Sequence, residues 1–398
     1  MNGVTMQDAL VVAGYRTAVG KAGKGSLRFT RPDDLAATLI RKIMGDHPQL
    51  DPNRIDDLIV GCAMPEGEQG LNMARMIGLI AGLPVTVPAM TVNRFCASGL
   101  ETIAIATAKI RSGMADIILA GGAESMSMVP MSGYKTSPNP TIVETNPGYY
   151  FNMGLTAEMV SQKYKISRED QDQFAFNSHQ KAGAAIQKGN FADMILPIQI
   201  ERSFLNEKGK ITKETTEFKV DEGVRADTTV EKLSTLKAAF MQGGVVTAGN
   251  SSQTSDGAAI VLVVSERVVK ELKLTPIARL ITYQAAGVEP EIMGIGPVAA
   301  IPKALKLAGL KLEDIAVTEL NEAFAAQAVA VIREAGLNAD TVNVNGGAIA
   351  LGHPLGCSGA KLSIQLFSEL RRRKAKYGMV TACVGCGQGV AGIYELIH

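Results

Sequence analysis

What most constrains this 398-residue chain is a pattern that occurs twice: short runs rich in Val, Ile and Ala alternate with stretches whose apolar residues recur at helical spacing. In the first half, Ala9 to Ala13, Leu58 to Gly61, Ala89 to Asn93 and Ile117 to Gly121 predict strands, and Asp33 to Met44, Met73 to Ala81 and Ser98 to Arg111 predict helices. After Val264 the order returns. Strands are expected over Ile277 to Gln284, Ile315 to Leu320, Val342 to Val344, Tyr377 to Val384 and Val390 to Leu396, with helices over Val298 to Ala308, Glu322 to Glu334 and Gly359 to Arg371. Such alternation predicts βαβ units and a buried, mostly parallel sheet, the α/β class.

The halves look like an internal duplication. Their best match sets Cys96, Ala97, Ser98 and Gly99 beside Cys357, Ser358, Gly359 and Ala360, each opening a helix that leads to a strand ending in glycines. Between the halves the chain is more polar and loses the alternation; Pro138, Asn139, Pro140 and Gly148 suggest excursions over a surface, where substrate-binding segments commonly sit. The expected division is therefore 1–123 for the first part of the N-terminal half, 124–243 for an inserted loop domain, 244–274 for the return to the N-terminal half, and 275–398 for the C-terminal half.

Composition removes several functions. Lys plus Arg (40) balances Asp plus Glu (39), so no global field favours nucleic acid or an anionic membrane. The run Arg371 to Lys374 reads as a solvated helix end. Five cysteines, an odd number without a signal-peptide pattern, suggest free thiols in a reducing compartment, hence a cytoplasmic protein. No apolar stretch approaches the roughly 20 residues of a bilayer helix. Met1 to Thr5 has no structural pattern, which makes Met6 an alternative start. Neither a P-loop nor a dinucleotide fingerprint is present, since Gly14, Gly20 and Gly23 lack the spacing.

Four places could carry chemistry. Cys96 follows a strand and precedes a helix, whose positive end favours thiolate, although taken alone it reads more readily as a buried structural cysteine. His353 stands between Gly352 and Pro354 in a turn that suits a general base, whereas His47, His179 and His398 read as structural or solvated. Cys383 and Cys386 form a C-x-x-C pair, but no second ligand pair supports zinc and no helix follows for a redox motif. Asn321 caps a helix or holds a water or carbonyl at the sheet edge.

Together these segments resemble the thiolase family over nearly the whole chain, through Val92 to Gly99, Asn321 to Phe324, Gly346 to Gly356 and Cys383 to Gly389. The resemblance implies duplicated halves in a layered αβαβα core with an inserted loop domain. It also implies acyl transfer: Cys96 becomes acylated, His353 activates it and then the incoming CoA thiol, and Cys383 exchanges a proton with the α-carbon of acetyl-CoA. Backbone N–H groups of Cys96 and Gly385 would hold one oxyanion, and His353 with Asn321, through a water, the other. Arg225, Ser252, Met153, Met293 and Phe324 would contact CoA or the acyl chain. Cys386 stands where many relatives carry glycine, and Asn152 where some biosynthetic relatives carry histidine.

Glu66 to Asn72 and Met293 to Pro297 resemble the degradative branch, which cleaves 3-ketoacyl-CoA with CoA in fatty-acid β-oxidation; an acetoacetyl-CoA thiolase working by Claisen condensation is the alternative. CoA is then a substrate, with acetyl-CoA and 3-ketoacyl-CoA as the other partners and neither a tightly bound cofactor nor a metal. A homodimer or homotetramer is implied. Competing classes are a decarboxylating ketoacyl synthase, an idle CoA or lipid carrier of the same fold, and a redox protein using Cys383 and Cys386.

Overall fold

The computed structural model describes residues 7–205 and 209–397. Met1 to Met6, including the alternative start, and His398 lie outside the described residues. The strands are β1 (Ala9–Arg16), β2 (Gly20–Lys21), β3 (Asp57–Gly61), β4 (Ala89–Val92), β5 (Ile117–Ser125), β6 (Ile198–Leu205), β7 (Ile211–Phe218), β8 (Ser255–Ser265), β9 (Ala278–Gly287), β10 (Val317–Leu320), β11 (Tyr377–Val384) and β12 (Gln388–Leu396). One sheet runs β10-β11-β12-β9-β1-β8-β5-β3-β4, with β2 added against β8. Its two halves meet at one register pair, Val11 with Ala278.

Period-2 alternation assigns the faces. Ile118 and Ala120 of β5 pack with Leu100, Ile103, Leu362 and Leu366, whereas Ile117 and Leu119 pack with Leu35, Leu39 and Ile40. The helices Ser98–Arg111 and Leu355–Arg373 thus lie between the half-sheets, with Pro32–Asp46 and Met73–Ala81 covering one outer face and Gly296–Ala308 the other. The result is the layered αβαβα core. The duplication meets itself at the centre: a Cβ on Gly99 would stand 2.7 Å from Ala360 N, and one on Gly359 2.2 Å from Leu100 N. Backbone approach that close needs glycine on both helices.

Three expectations are corrected. The sheet is mixed, not mostly parallel: parallel pairing is confined to β3 with β4 and β5, and β10 with β11. Strands buried on both faces read as continuous apolar runs whichever way they point, and the three-residue connection from β11 to β12 permits only an antiparallel pair. Val342 to Val344 forms no strand, only a bridge from Val342 to Thr318. There Asn343, at φ +46°, replaces a strand neighbour with its side chain, accepting from Leu320 N and donating to Leu320 O, both at 2.8 Å. The helix expected from Glu322 begins at Ala325, because Phe324, at φ −145° and ψ 148°, is still extended and stands as its N-cap, a place Asn321 does not take.

The polar segment between the halves is richer in structure than its composition suggests. It contains the 20-residue helix Arg168–Gln187, started by a capping box between Ser167 and Asp170, and the β6-β7 hairpin. The basic run ends the helix Leu355–Arg373, where Arg372 and Arg373 pair with Glu369.

Candidate active site

Each candidate sits at a strand end or a turn facing the same side of the core. Cys96 lies in the turn Phe95–Ala97 after β4. Asn93 Oδ1 accepts from Phe95 N at 2.8 Å, while Ser98 Oγ accepts from Arg94 N at 2.9 Å and donates to Phe95 O at 2.7 Å. These bonds hold Phe95 at φ +42° and fix where the next side chain points. Cys383 ends β11, and Gly385 to Gly387 make the hairpin turn. Cys386 there is exposed at φ +61°, a conformation that suits glycine.

His353 is buried between Leu351 and the helix that starts at Leu355. Ser358 Oγ donates to Pro354 O at 2.9 Å, so its lone pair is left to accept from His353 Nδ1–H at 2.5 Å. The neutral ring therefore carries its free lone pair on Nε2, to which Asn321 Nδ2 donates at 3.2 Å. Burial, with Lys361 nearby, pulls the His353 pKa down to about 3. At neutral pH it is an uncharged base whose available lone pair, on Nε2, accepts from Asn321. Asn321 Oδ1, on the same amide, is buried without a partner.

Burial holds both cysteines towards the thiol, against the helix start that favours the thiolate at Cys96. Burial pushes Cys96 up to about 12 and the Glu124 carboxylate opposes ionisation further, although the N–H groups of Gly385 and Cys96 itself face the sulfur and favour the anion. Removal from water outweighs a helix end because the charge has no cation beside it. Cys383 is fully buried and pushed up by burial first and then by Cys96, so the two sulfurs feel one another. No hydrogen bond joins Cys96 to His353 here, as is usual before a substrate closes such a site.

One cavity of about 250 Å³ reaches Cys96 and His353. Met126, Met131, Met153, Met293, Phe240, Phe324 and Leu355 supply its apolar wall, while Asn152 and Ser251 to Thr254 are the polar part. Four expected contact residues, Ser252, Met153, Met293 and Phe324, line it together. Arg225 does not: its side chain is exposed, and its backbone N–H donates to His179 Nδ1 at 3.1 Å. Cys383 lies just behind the wall, packed with Met293, Ala323 and Phe324, and Gly385 is buried near Phe95 and Met153. His47 bonds its own helix end through Ile43 O.

Sequence reasoning missed Ser358, which sets the histidine tautomer, and Glu124, a buried carboxylate beside the site. Ser358 is five residues beyond His353, so a helix turning back on the preceding loop was the available signal. Phe240 and Met131 come from the polar middle segment, whose path no periodicity encodes. Among the described residues no group of three or more His, Cys, Asp or Glu side chains is placed to hold a metal ion, and no helix is long and apolar enough to cross a membrane.

Two neighbouring thiols, a neutral histidine with its basic lone pair on Nε2 and backbone N–H groups at the nucleophile form a set suited to acyl transfer through sulfur. Comparison with known proteins agrees. Family models for the N-terminal and C-terminal domains of thiolase match residues 9–267 and 274–396. The chain is 55% identical over 391 residues to a 3-ketoacyl-CoA thiolase of Bacillus subtilis, covering 98% of this chain and 100% of that one. It is 45% identical over 410 residues to the 3-oxoadipyl-CoA/3-oxo-5,6-dehydrosuberyl-CoA thiolase of Escherichia coli, covering 98% and 100%. The crystal structure of human mitochondrial 3-ketoacyl-CoA thiolase superposes with a TM-score of 0.88 at 40% identity, covering 98% and 100%. With both family models matched in order across residues 9–267 and 274–396 and this identity over nearly the full length, the chain belongs to the thiolase family.

Proposed function

We propose that this protein cleaves 3-ketoacyl-CoA with coenzyme A, giving acetyl-CoA and an acyl-CoA shortened by two carbons. The carrying observation is the single apolar cavity onto which Cys96 and His353 open, with Cys383 behind its wall. His353 Nε2 takes the proton of Cys96; the sulfur attacks the ketone carbon, and the new oxyanion meets the N–H groups of Cys96 and Gly385. The bond between the α and β carbons then breaks. The departing acetyl-CoA enolate takes its proton from the Cys383 thiol, while Asn321 and His353 hold its oxygen. His353 then passes the proton it took from Cys96 to the Cys383 thiolate and is neutral again when CoA enters; CoA gives its thiol proton to His353, the CoA sulfur displaces the acyl group from Cys96, and His353 returns that proton to the released Cys96 thiolate.

The cavity wall supports an apolar acyl chain. No cationic side chain lines it, so a chain ending in a second carboxylate, the kind named for the E. coli relative, would lose its hydration without a partner. Degradative use in fatty-acid β-oxidation is the reading we adopt, and five free cysteines suit the reducing cytoplasm. Incubation with acetoacetyl-CoA and with a longer 3-ketoacyl-CoA, followed by intact mass and peptide mapping, is expected to give an acyl adduct on Cys96 with both. Absence of the adduct from both substrates would sink the proposal, and an adduct confined to acetoacetyl-CoA would favour the condensing alternative.

A second copy of the chain is the expected partner. The edge strand β4 leads directly into the Cys96 turn, and nearby Leu71, Met76, Leu79, Ile80 and Val85 are exposed. In sedimentation the protein should run at twice the chain mass or more, and Leu79→Asp with Ile80→Asp should shift it to a monomer. A wild-type monomer at micromolar concentration would count against this.

A further inference from the structure

Glu124 has no part in the steps above, yet its carboxylate gathers three separate segments around Cys96. It is the penultimate residue of β5 and is 1% exposed. Oε2 accepts from Ala63 N at 2.8 Å and Gly356 N at 2.7 Å; Oε1 accepts from Met64 N at 3.2 Å and Gln69 Nε2 at 2.8 Å, with the Cys62 thiol at 3.7 Å. Every partner is a donor. A protonated carboxyl would have no acceptor for its hydrogen, so the bonding requires the anion even though burial raises its pKa. No cation pairs with it in any described ion pair; its charge is met by backbone N–H groups and by the positive start of the helix Leu355–Arg373.

The bonded segments are the walls of the nucleophile. Ala63 and Leu355 pack directly with Cys96, with Met64 against them, and Leu355 is two residues from His353. Moving Gly356 away from Ala63 would therefore move the base relative to the sulfur. We propose that Glu124 is a positioning residue for the acyl-transfer step, joining the histidine-bearing turn to the wall beside Cys96 so that thiol and base reach one substrate carbon. This rests on the thiolase reading of the site. The residue also sets the field at Cys96. After burial, which raises the Cys96 pKa most, and the Gly385 and Cys96 N–H groups, which lower it, the carboxylate opposes ionisation of that sulfur, and Cys383 from β11 is the titratable group coupled to it.

Glu124→Gln tests this. The amide turns an NH₂ group against two N–H donors whichever way it sits and removes the charge. We expect a folded protein with KM for 3-ketoacyl-CoA within about twofold, kcat lowered about 100-fold, and alkylation of Cys96 by iodoacetamide half-maximal at a lower pH than in wild type. A kcat within threefold of wild type would overturn the proposal, as would a loss of kcat with a matching rise in KM and an unmoved alkylation profile. If this variant does not fold, Gln69→Met decides: it removes one side-chain donor, and kcat should fall about tenfold with KM kept, an unchanged kcat overturning the idea. The alkylation profile needs no turnover, so it stands apart from failure of the thiolase reading, which would appear as a wild type that cleaves no 3-ketoacyl-CoA.

Discussion

Cys96→Ala is expected to give a folded protein that carries no acyl group after incubation with 3-ketoacyl-CoA, with kcat/KM lowered by about 10⁴-fold or more. Folding should survive because the side chain packs only in a small apolar cluster with Ala63 and Leu355, where losing one sulfur costs on the order of 1 kcal/mol. Chemistry should not survive, since the thioester formed on this sulfur is what divides one difficult acyl transfer into two easier ones. Neither nearby thiol can stand in. Cys383 is fully buried behind the cavity wall, and Cys62 is pushed strongly up by burial first and then by the Glu124 carboxylate beside it. Intact mass spectrometry and steady-state cleavage rates check both halves of the expectation; an adduct on another residue, or turnover within tenfold of wild type, would remove Cys96 from the mechanism.

Much of this site is legible in the sequence because the chemistry is confined to short turns with unusual composition. Cys96, Asn321, His353 and Cys383 each stand where an apolar run meets glycine or a small residue, and such junctions end strands at the face where α/β sites form. The duplicated order also survives as pattern, since Met73–Ala81, Ser98–Arg111 and Tyr377–Val384 have the bounds their periodicity predicts. Strand direction does not survive, because a strand buried on both faces has the same letters in either orientation. Asn343 shows a different limit: its side chain occupies the place of a strand, a substitution that residue type alone does not announce.

Electrostatics was the least legible part. A cysteine at a helix start suggests thiolate when only the local sequence is visible. The decisive quantity is how completely the core removes water from that sulfur, and this depends on Ala63, Leu355 and Glu124 from three other segments. The same burial that holds the cysteine as a thiol holds the histidine neutral. In the proposed mechanism activation is therefore a proton transfer between two uncharged groups, not the use of a standing ion pair.

That arrangement predicts a linked loss of activity and gain in acid resistance in His353→Gln. Removing the base should lower kcat by about 10³-fold, within the usual range for a positioned general base. Partial retention is expected of Ser358→Ala, which leaves Nε2 but frees the ring to take the other tautomer; about a tenfold loss is the expected scale. Stability follows the opposite sign from activity. The folded pKa of His353, about 3, lies below its unfolded value of about 6.5, so its contribution is complete above about pH 6.5 and is lost as pH falls towards 3. Over that window the unfolded chain binds a proton that the folded one refuses, costing about 1.4 kcal/mol per pH unit. His179, pulled down to about 4 by burial first and then by Arg225, adds a parallel loss over a narrower range. The glutamine variant has no proton to take up at this position, so its denaturant midpoint should fall less steeply between pH 6.5 and 4.5 than that of wild type. Equal slopes in urea melts across that range would mean that His353 is charged or hydrated in the folded protein, and the neutral-base mechanism would then have to be abandoned.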